Sequence, residues 1–116
     1  MAVDRRIYTR YEINVEAKAG LTSGMILSAE ALDISAEGVR LRFDGTPQFE
    51  IDDELYIVIK GEKTLKIKGK IKWIKQEKNN TEIGVKFEHL DMETSQLLSK
   101  ILSDMALSYL EDKYLK

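Results

Sequence analysis

Residues 65–73 read LKIKGKIKW, with Leu65, Ile67, Gly69, Ile71 and Trp73 on one side of an extended chain and Lys66, Lys68, Lys70 and Lys72 on the other. Side chains of a strand alternate between faces, so this stretch predicts a strand with a buried and a solvated face, Trp73 lying on the buried one. The same period runs outward along the chain. In VRLRF, residues 39–43, the apolar Val39, Leu41 and Phe43 oppose Arg40 and Arg42. AGLTSG, SAEG, DGTPQ, KGEK and KNN supply turn chemistry between such runs. Strands are expected at 12–19, 24–34, 38–44, 53–60, 63–76 and 81–88. Six short strands with tight connections suggest an antiparallel barrel, a closed sheet without aggregation-prone edges.

Beyond Leu90 the period changes. Leu97, Leu98, Ile101, Leu102, Met105 and Leu110 recur at three- and four-residue intervals, which predicts an amphipathic helix over about 92–112 that lays its stripe on the barrel. Asp91 is a candidate N-cap, without a Glu or Gln three residues on to complete a capping box. No repeat or linker divides the chain. It reads as one domain over 1–116: a flexible arginine arm at 1–11, a barrel at 12–90 and a helix at 91–113.

At 116 residues the chain can bury roughly two thirds of its unfolded surface, enough for one modest core. It has no cysteine, which excludes disulfides, thiolate metal sites and cysteine nucleophiles. The first ten residues lack the apolar segment of a secretory signal, and no apolar run approaches the roughly 18 residues of a membrane span. A cytoplasmic protein is expected. The formal charge of −2 argues against a surface that attracts nucleic acid everywhere. Distribution says more. Arginine occurs only at 5, 6, 10, 40 and 42, and its planar fork suits phosphate or guanine in a way that lysine does not.

Two short segments carry these arginines. In RRIYTR, residues 5–10, Arg6 and Arg10 are four apart and project to one side whether the segment is extended or helical. They make either a solvated basic terminus or an anion clamp. DISAEG, residues 33–38, precedes Arg40. Asp33 and Ser35 there could simply satisfy nearby backbone N–H groups while Gly38 supplies positive φ. Alternatively an exposed Asp33 carboxylate accepts from the N1–H and amine of a guanine, the Ser35 hydroxyl bonds the ligand, and Gly38 admits a base close to the backbone.

In combination, Arg6 and Arg10 in RIYTR, Asp33, Ser35 and Gly38 in DISAEG, Gly84 in EIGVKF (82–87), six strands and a terminal helix resemble the PilZ domain, a bacterial receptor module for cyclic di-GMP. The resemblance covers essentially the whole chain. It implies a barrel with the dinucleotide on its outer surface, held by Arg5, Arg6 and Arg10 on one side and by Asp33, Ser35 and Gly38 on the other. It also implies an N-terminal segment that closes over the ligand, Arg5 serving a second nucleotide of a stacked pair. Glu37 stands where family members frequently have Gly, and puts a negative charge near an anionic ligand. With five residues ahead of Arg6, a stand-alone adaptor is expected.

The implied function is non-enzymatic. It is a cyclic di-GMP receptor that changes conformation to signal to an unknown downstream protein, with no cofactor and no metal, and with no DNA, RNA or membrane insertion. One rival is a PilZ-like interaction module for motility or secretion machinery that binds no nucleotide. A second is a single-stranded nucleic-acid barrel using the eight lysines between 60 and 78. That rival needs exposed aromatic platforms, and Trp73 has the buried parity. His89, the only histidine, lacks partners for catalysis or metal binding and reads as a boundary residue.

Overall fold

The computed structural model describes residues 9–114. Among these residues six strands precede one helix: β1 (Tyr11–Leu21), β2 (Ile26–Ile34), β3 (Gly38–Asp44), β4 (Glu54–Lys60), β5 (Thr64–Gln76), β6 (Asn80–Phe87) and α1 (Met92–Tyr114). The strands pair antiparallel in the order β1-β2-β3-β6-β5-β4, and β4 returns to β1 to close the barrel. Every strand boundary lies within a few residues of the expected one. The alternation explains why: Val39, Leu41 and Phe43 of β3 and Leu65, Ile67 and Ile71 of β5 all enter the core. Ala17, Ala19 and Ala31 are its small members, Phe43, Leu55 and Ile57 its large ones. Phe49 tilts against Phe43 at 5.0 Å and 58°, which tacks the β3–β4 connection onto that core.

Helix α1 starts as its cap dictates. The Thr94 N–H donates to Asp91 Oδ1 at 2.7 Å, satisfying one of the orphan donors of the first turn. That bond, then one with the Thr94 side chain, holds the Asp91 carboxyl below its usual value. Leu98 is buried, and Leu97, Ile101, Leu102 and Met105 pack on the core beside it. Leu110, expected in the same stripe, is instead 47% exposed, together with Leu107. No helix among the described residues is long and apolar enough to cross a membrane.

Three breaks in register shape the outer wall. On β1 the pairing passes from Glu12–Asp33 to Val15–Ala31, with Asn14 at φ 50°. On β2, Leu32 is extra between Ala31–Leu41 and Asp33–Arg40. On β5, Lys72 is extra between Ile71–Val85 and Trp73–Gly84. An extra residue shifts every later side chain to the other face. Trp73, expected in the core, is therefore turned outward and 38% exposed, and Ile74 takes the inward position. The bulge at Leu32 likewise turns Asp33 out and Ile34 in, so Asp33, Arg40, Gly84 and Trp73 form one continuous row across β2, β3, β6 and β5.

Candidate functional site

At the turn from β2 to β3 Ser35 satisfies nearby backbone, as the plainer reading of DISAEG expects of it, whereas the Asp33 carboxylate turns to arginine side chains instead. The Ser35 N–H donates to the Gly38 carbonyl at 2.9 Å, and the Glu37 N–H donates to Ser35 Oγ at 3.2 Å. The Phe87 N–H donates to the Glu37 carbonyl at 2.8 Å, tying the turn to β6. Accepting from Glu37 leaves the Ser35 hydroxyl its own proton to donate. Gly38 does not adopt positive φ; among the described glycines Gly24 and Gly45 do. Its lack of a side chain serves a close approach instead, since a Cβ there would stand 2.1 Å from the Val85 carbonyl oxygen.

Asp33 holds two arginines. Arg10 Nη1 donates to Oδ1 at 3.2 Å, and Arg40 Nε donates to Oδ2 at 2.8 Å. Arg40 Nη1 also donates to Glu82 Oε1 at 3.0 Å, so one guanidinium bridges carboxylates of β2 and β6. Partial burial pulls the Arg40 pKa down, but the hydrogen bonds and charges of Asp33 and Glu82 outweigh it and leave it raised. One step along the same face, Arg42 pairs separately with Glu30.

Beside this network lies a hollow of about 180 Å³. Ser35, Glu37 and Gly38 line it together with Lys72, Trp73, Lys86 and Arg10. Its lining includes Gly84, where a Cβ would be 2.1 Å from Trp73 Nε1; the glycine lets the indole lie down on β6. Of the expected residues, Arg10, Ser35 and Gly38 meet at the hollow. Asp33 is not part of its lining and connects to it through Arg10. Arg5 and Arg6 lie outside the described residues. Sequence reasoning missed Trp73, Lys72, Lys86 and Arg40. The available signal was the pair Trp73–Ile74, two consecutive apolar residues that break the alternation of β5.

A larger groove of about 730 Å³ lies between α1 and the strand ends, with an apolar lining that includes Ile13, Val15, Ile101 and Met105. Its cations, Arg10 and Lys63, are offset by Glu12, Glu62 and Asp104, which makes it the poorer place for an anion. His89 sits exposed at the β6–α1 boundary, with φ 42°. On the lysine face, Lys68 pairs with Glu54, Lys70 with Glu88 and Lys72 with Asp52, so most of that row has acidic neighbours. Trp73 and Tyr56 are nevertheless both exposed, so the buried parity of Trp73 no longer counts against a nucleic-acid surface. What counts against it is this neutralisation and the position of Trp73 beside Ser35 and Gly38. No group of three or more His, Cys, Asp or Glu suited to a metal occurs among the described residues.

The family model for the PilZ domain matches residues 4–104. No curated protein matches the chain. Among solved structures it is similar to the PilZ domain of YcgR from Escherichia coli with c-di-GMP, at 13% identity and TM-score 0.79, covering 95% of this chain and 98% of that one. It is also similar to the MrkH–c-di-GMP complex of K. pneumonia, at 19% identity and TM-score 0.80, covering 95% of this chain and 56% of that one. The PilZ domain of CeSA from a cellulose synthesizing bacterium aligns at 10% identity and TM-score 0.67, over 84% of this chain and 98% of that one. The chain thus spans about half the length of MrkH. At these identities the likeness is one of fold.

Proposed function

The chain belongs to the PilZ domain family, and from that premise we propose that it is a cyclic di-GMP receptor that changes conformation on binding and so signals to a downstream protein in the cytoplasm. The observation that carries this reading is the meeting of Arg10, Ser35, Gly38 and Trp73 at one hollow of the outer wall. Pockets that engulf a whole small molecule run to roughly 300–1,000 Å³. A hollow of about 180 Å³ suits a single base and leaves the remainder of a dinucleotide along the surface.

The residues then divide the work. The Trp73 indole offers a guanine a stacking face, worth about 1–3 kcal/mol per base. The Ser35 hydroxyl and the cation Lys86 face the ligand's polar atoms, and Lys72 joins them by leaving Asp52. Arg10 exchanges the Asp33 carboxylate for a phosphate, which frees Oδ1 to accept from one of the guanine N1–H and amine donors while the second acceptor site of Oδ2 takes the other. Arg5 and Arg6 add phosphate contacts from the arm, and residues 1–10 close over the ligand to create the surface a partner reads. Glu37 opposes the phosphates. None of these steps makes or breaks a covalent bond.

Calorimetric titration with cyclic di-GMP, with cyclic di-AMP at matched salt as comparison, tests the reading. Saturable binding of the first and much weaker binding of the second is expected, because adenine leaves Asp33 unmatched. Absence of binding up to millimolar cyclic di-GMP refutes it. Amide hydrogen exchange tests the switch: residues 1–10 should gain protection with ligand while α1 changes little. An unchanged arm would sink the conformational step alone.

A further inference from the structure

The two arginines on Asp33 are unequal. Arg40 comes from the middle of a paired strand, its Nε is 2.8 Å from Oδ2, and its Nη1 is held 3.0 Å from Glu82. Arg10 precedes the first strand, is bonded at 3.2 Å, and is the more exposed of the two, 42% against 34%. A charge-assisted N–H···O bond is normally about 2.7–2.9 Å, so Arg40 makes the strong contact and Arg10 the loose one. A planar fork bonded at two points also cannot rotate without breaking one bond. Both carboxylates are largely shielded, Asp33 at 14% and Glu82 at 18% exposed, which limits solvent competition for the bridge.

We propose that Arg40, anchored by Glu82, is a positioning residue that holds the Asp33 carboxylate in register for guanine, leaving Arg10 as the partner that departs. This rests on the cyclic di-GMP reading above. Each carboxylate oxygen accepts about two bonds. Arg40 occupies one site on Oδ2, and Oδ1 becomes available when Arg10 moves, so the free edge has a fixed direction before any base arrives. Guanine recognition through two parallel hydrogen bonds depends on that direction; stacking on Trp73 and phosphate contacts to Arg10 do not. Arg40 therefore acts on selectivity between bases more than on attachment as such. Arg42 supplies a comparison within the same strand: an arginine on the same face, paired with Glu30 rather than with Asp33.

The test compares wild type, Arg40→Gln, Arg40→Lys, Glu82→Gln and Arg42→Gln by titration with cyclic di-GMP and cyclic di-AMP, each with a thermal melt. Arg40→Gln should weaken cyclic di-GMP binding about tenfold and reduce the preference over cyclic di-AMP by a similar factor. Arg40→Lys should recover part of both, and Glu82→Gln should shift selectivity in the same direction by less. Arg42→Gln should leave the preference unchanged. In an Asp33→Asn background, Arg40→Gln should add no further loss, because its effect passes through that carboxylate. A purely structural arginine would lower the melting temperature without moving the selectivity ratio. Should Arg40→Gln fail to fold, Glu82→Gln carries the test, since it leaves Arg40 in place. Unchanged selectivity in both variants, or a loss that adds fully to Asp33→Asn, overturns the proposal while the receptor reading stands. A wild type that binds neither dinucleotide overturns both.

Discussion

Trp73 is the one tryptophan of the chain, so its emission reports on the candidate site alone, and Gly84 beneath it provides a direct means of moving it. A methyl group on Gly84 would meet the indole at 2.1 Å from Nε1, 2.4 Å from Cε2 and 2.7 Å from Cδ1. Carbon contacts settle at about 3.5–4.0 Å, so Gly84→Ala must displace the ring by roughly 1.4 Å or turn it to another rotamer. The obstructed group is the far end of a side chain that already reaches solvent, so it can give way. The barrel should survive with a loss of about 1–3 kcal/mol, the usual range for overpacking.

Binding should suffer through the lost stacking platform. At about 1–3 kcal/mol per stacked base, the Kd for cyclic di-GMP should rise roughly 5- to 150-fold. The assay is a titration followed by tryptophan emission and by calorimetry, with Trp73→Ala alongside. The emission of Gly84→Ala should be red-shifted before any ligand is added, as the indole moves toward water. Combining the two substitutions separates mechanism from general damage: once the indole is gone, the methyl group has little to strike, and Gly84→Ala should add little to Trp73→Ala. An unchanged emission maximum with wild-type affinity, or full additivity of the two losses, would refute the reasoning.

Three further outcomes follow from the same geometry. Arg10→Ala should cost about 1.5–3 kcal/mol of cyclic di-GMP binding without unfolding the barrel, and Arg10→Lys should recover only part, by calorimetry at matched salt. Gly38→Ala should lower the melting temperature more than Gly84→Ala, because its new Cβ would lie 2.1 Å from the Val85 carbonyl, a backbone atom that cannot step aside. The folded Asp91 carboxyl is held below its ordinary value, so its capping contribution is present above the unfolded carboxylate range and is lost as pH falls through the folded value. Asp91→Asn, a neutral cap, should therefore flatten the acid limb of a melting temperature–pH curve; parallel curves for the two proteins would contradict this.

The barrel was legible because its information is local. Alternation in 39–43 and 65–71 states which residues enter the core, and turn residues mark where each strand stops. The helix was legible for the same reason, from a three- and four-residue period and from Asp91 at its start. The site was legible only in part. Asp33, Ser35 and Gly38 form one short segment and could be recognised together, and Arg10 lies in another. Arg40 was visible as an arginine on the outer face, but its bridge to Glu82 spans 42 positions, and no local pattern announces such a pairing.

Trp73 was misplaced for a reason that also explains how the site exists. Parity counting assumes one residue per step, and both β2 and β5 insert an extra one, Leu32 and Lys72. Each insertion leaves a mark in the sequence as adjacent apolar residues, Ala31–Leu32 and Trp73–Ile74, where strict alternation would have placed a polar one. Without the insertion at Leu32, Asp33 would follow Ala29 and Ala31 into the core, where an ionised carboxylate is expensive. Without the insertion at Lys72, Trp73 would follow Ile67 and Ile71 there. The two bulges act on strands separated by β3 and β6, yet they turn a carboxylate and an indole onto one row, Asp33–Arg40–Gly84–Trp73. The row needs Gly84 for the indole to lie flat and Arg40 for the carboxylate to hold its direction. Bulges commonly re-aim side chains beside functional sites; here they convert a wall patterned for solvent into one that presents an acceptor pair and an aromatic face in register.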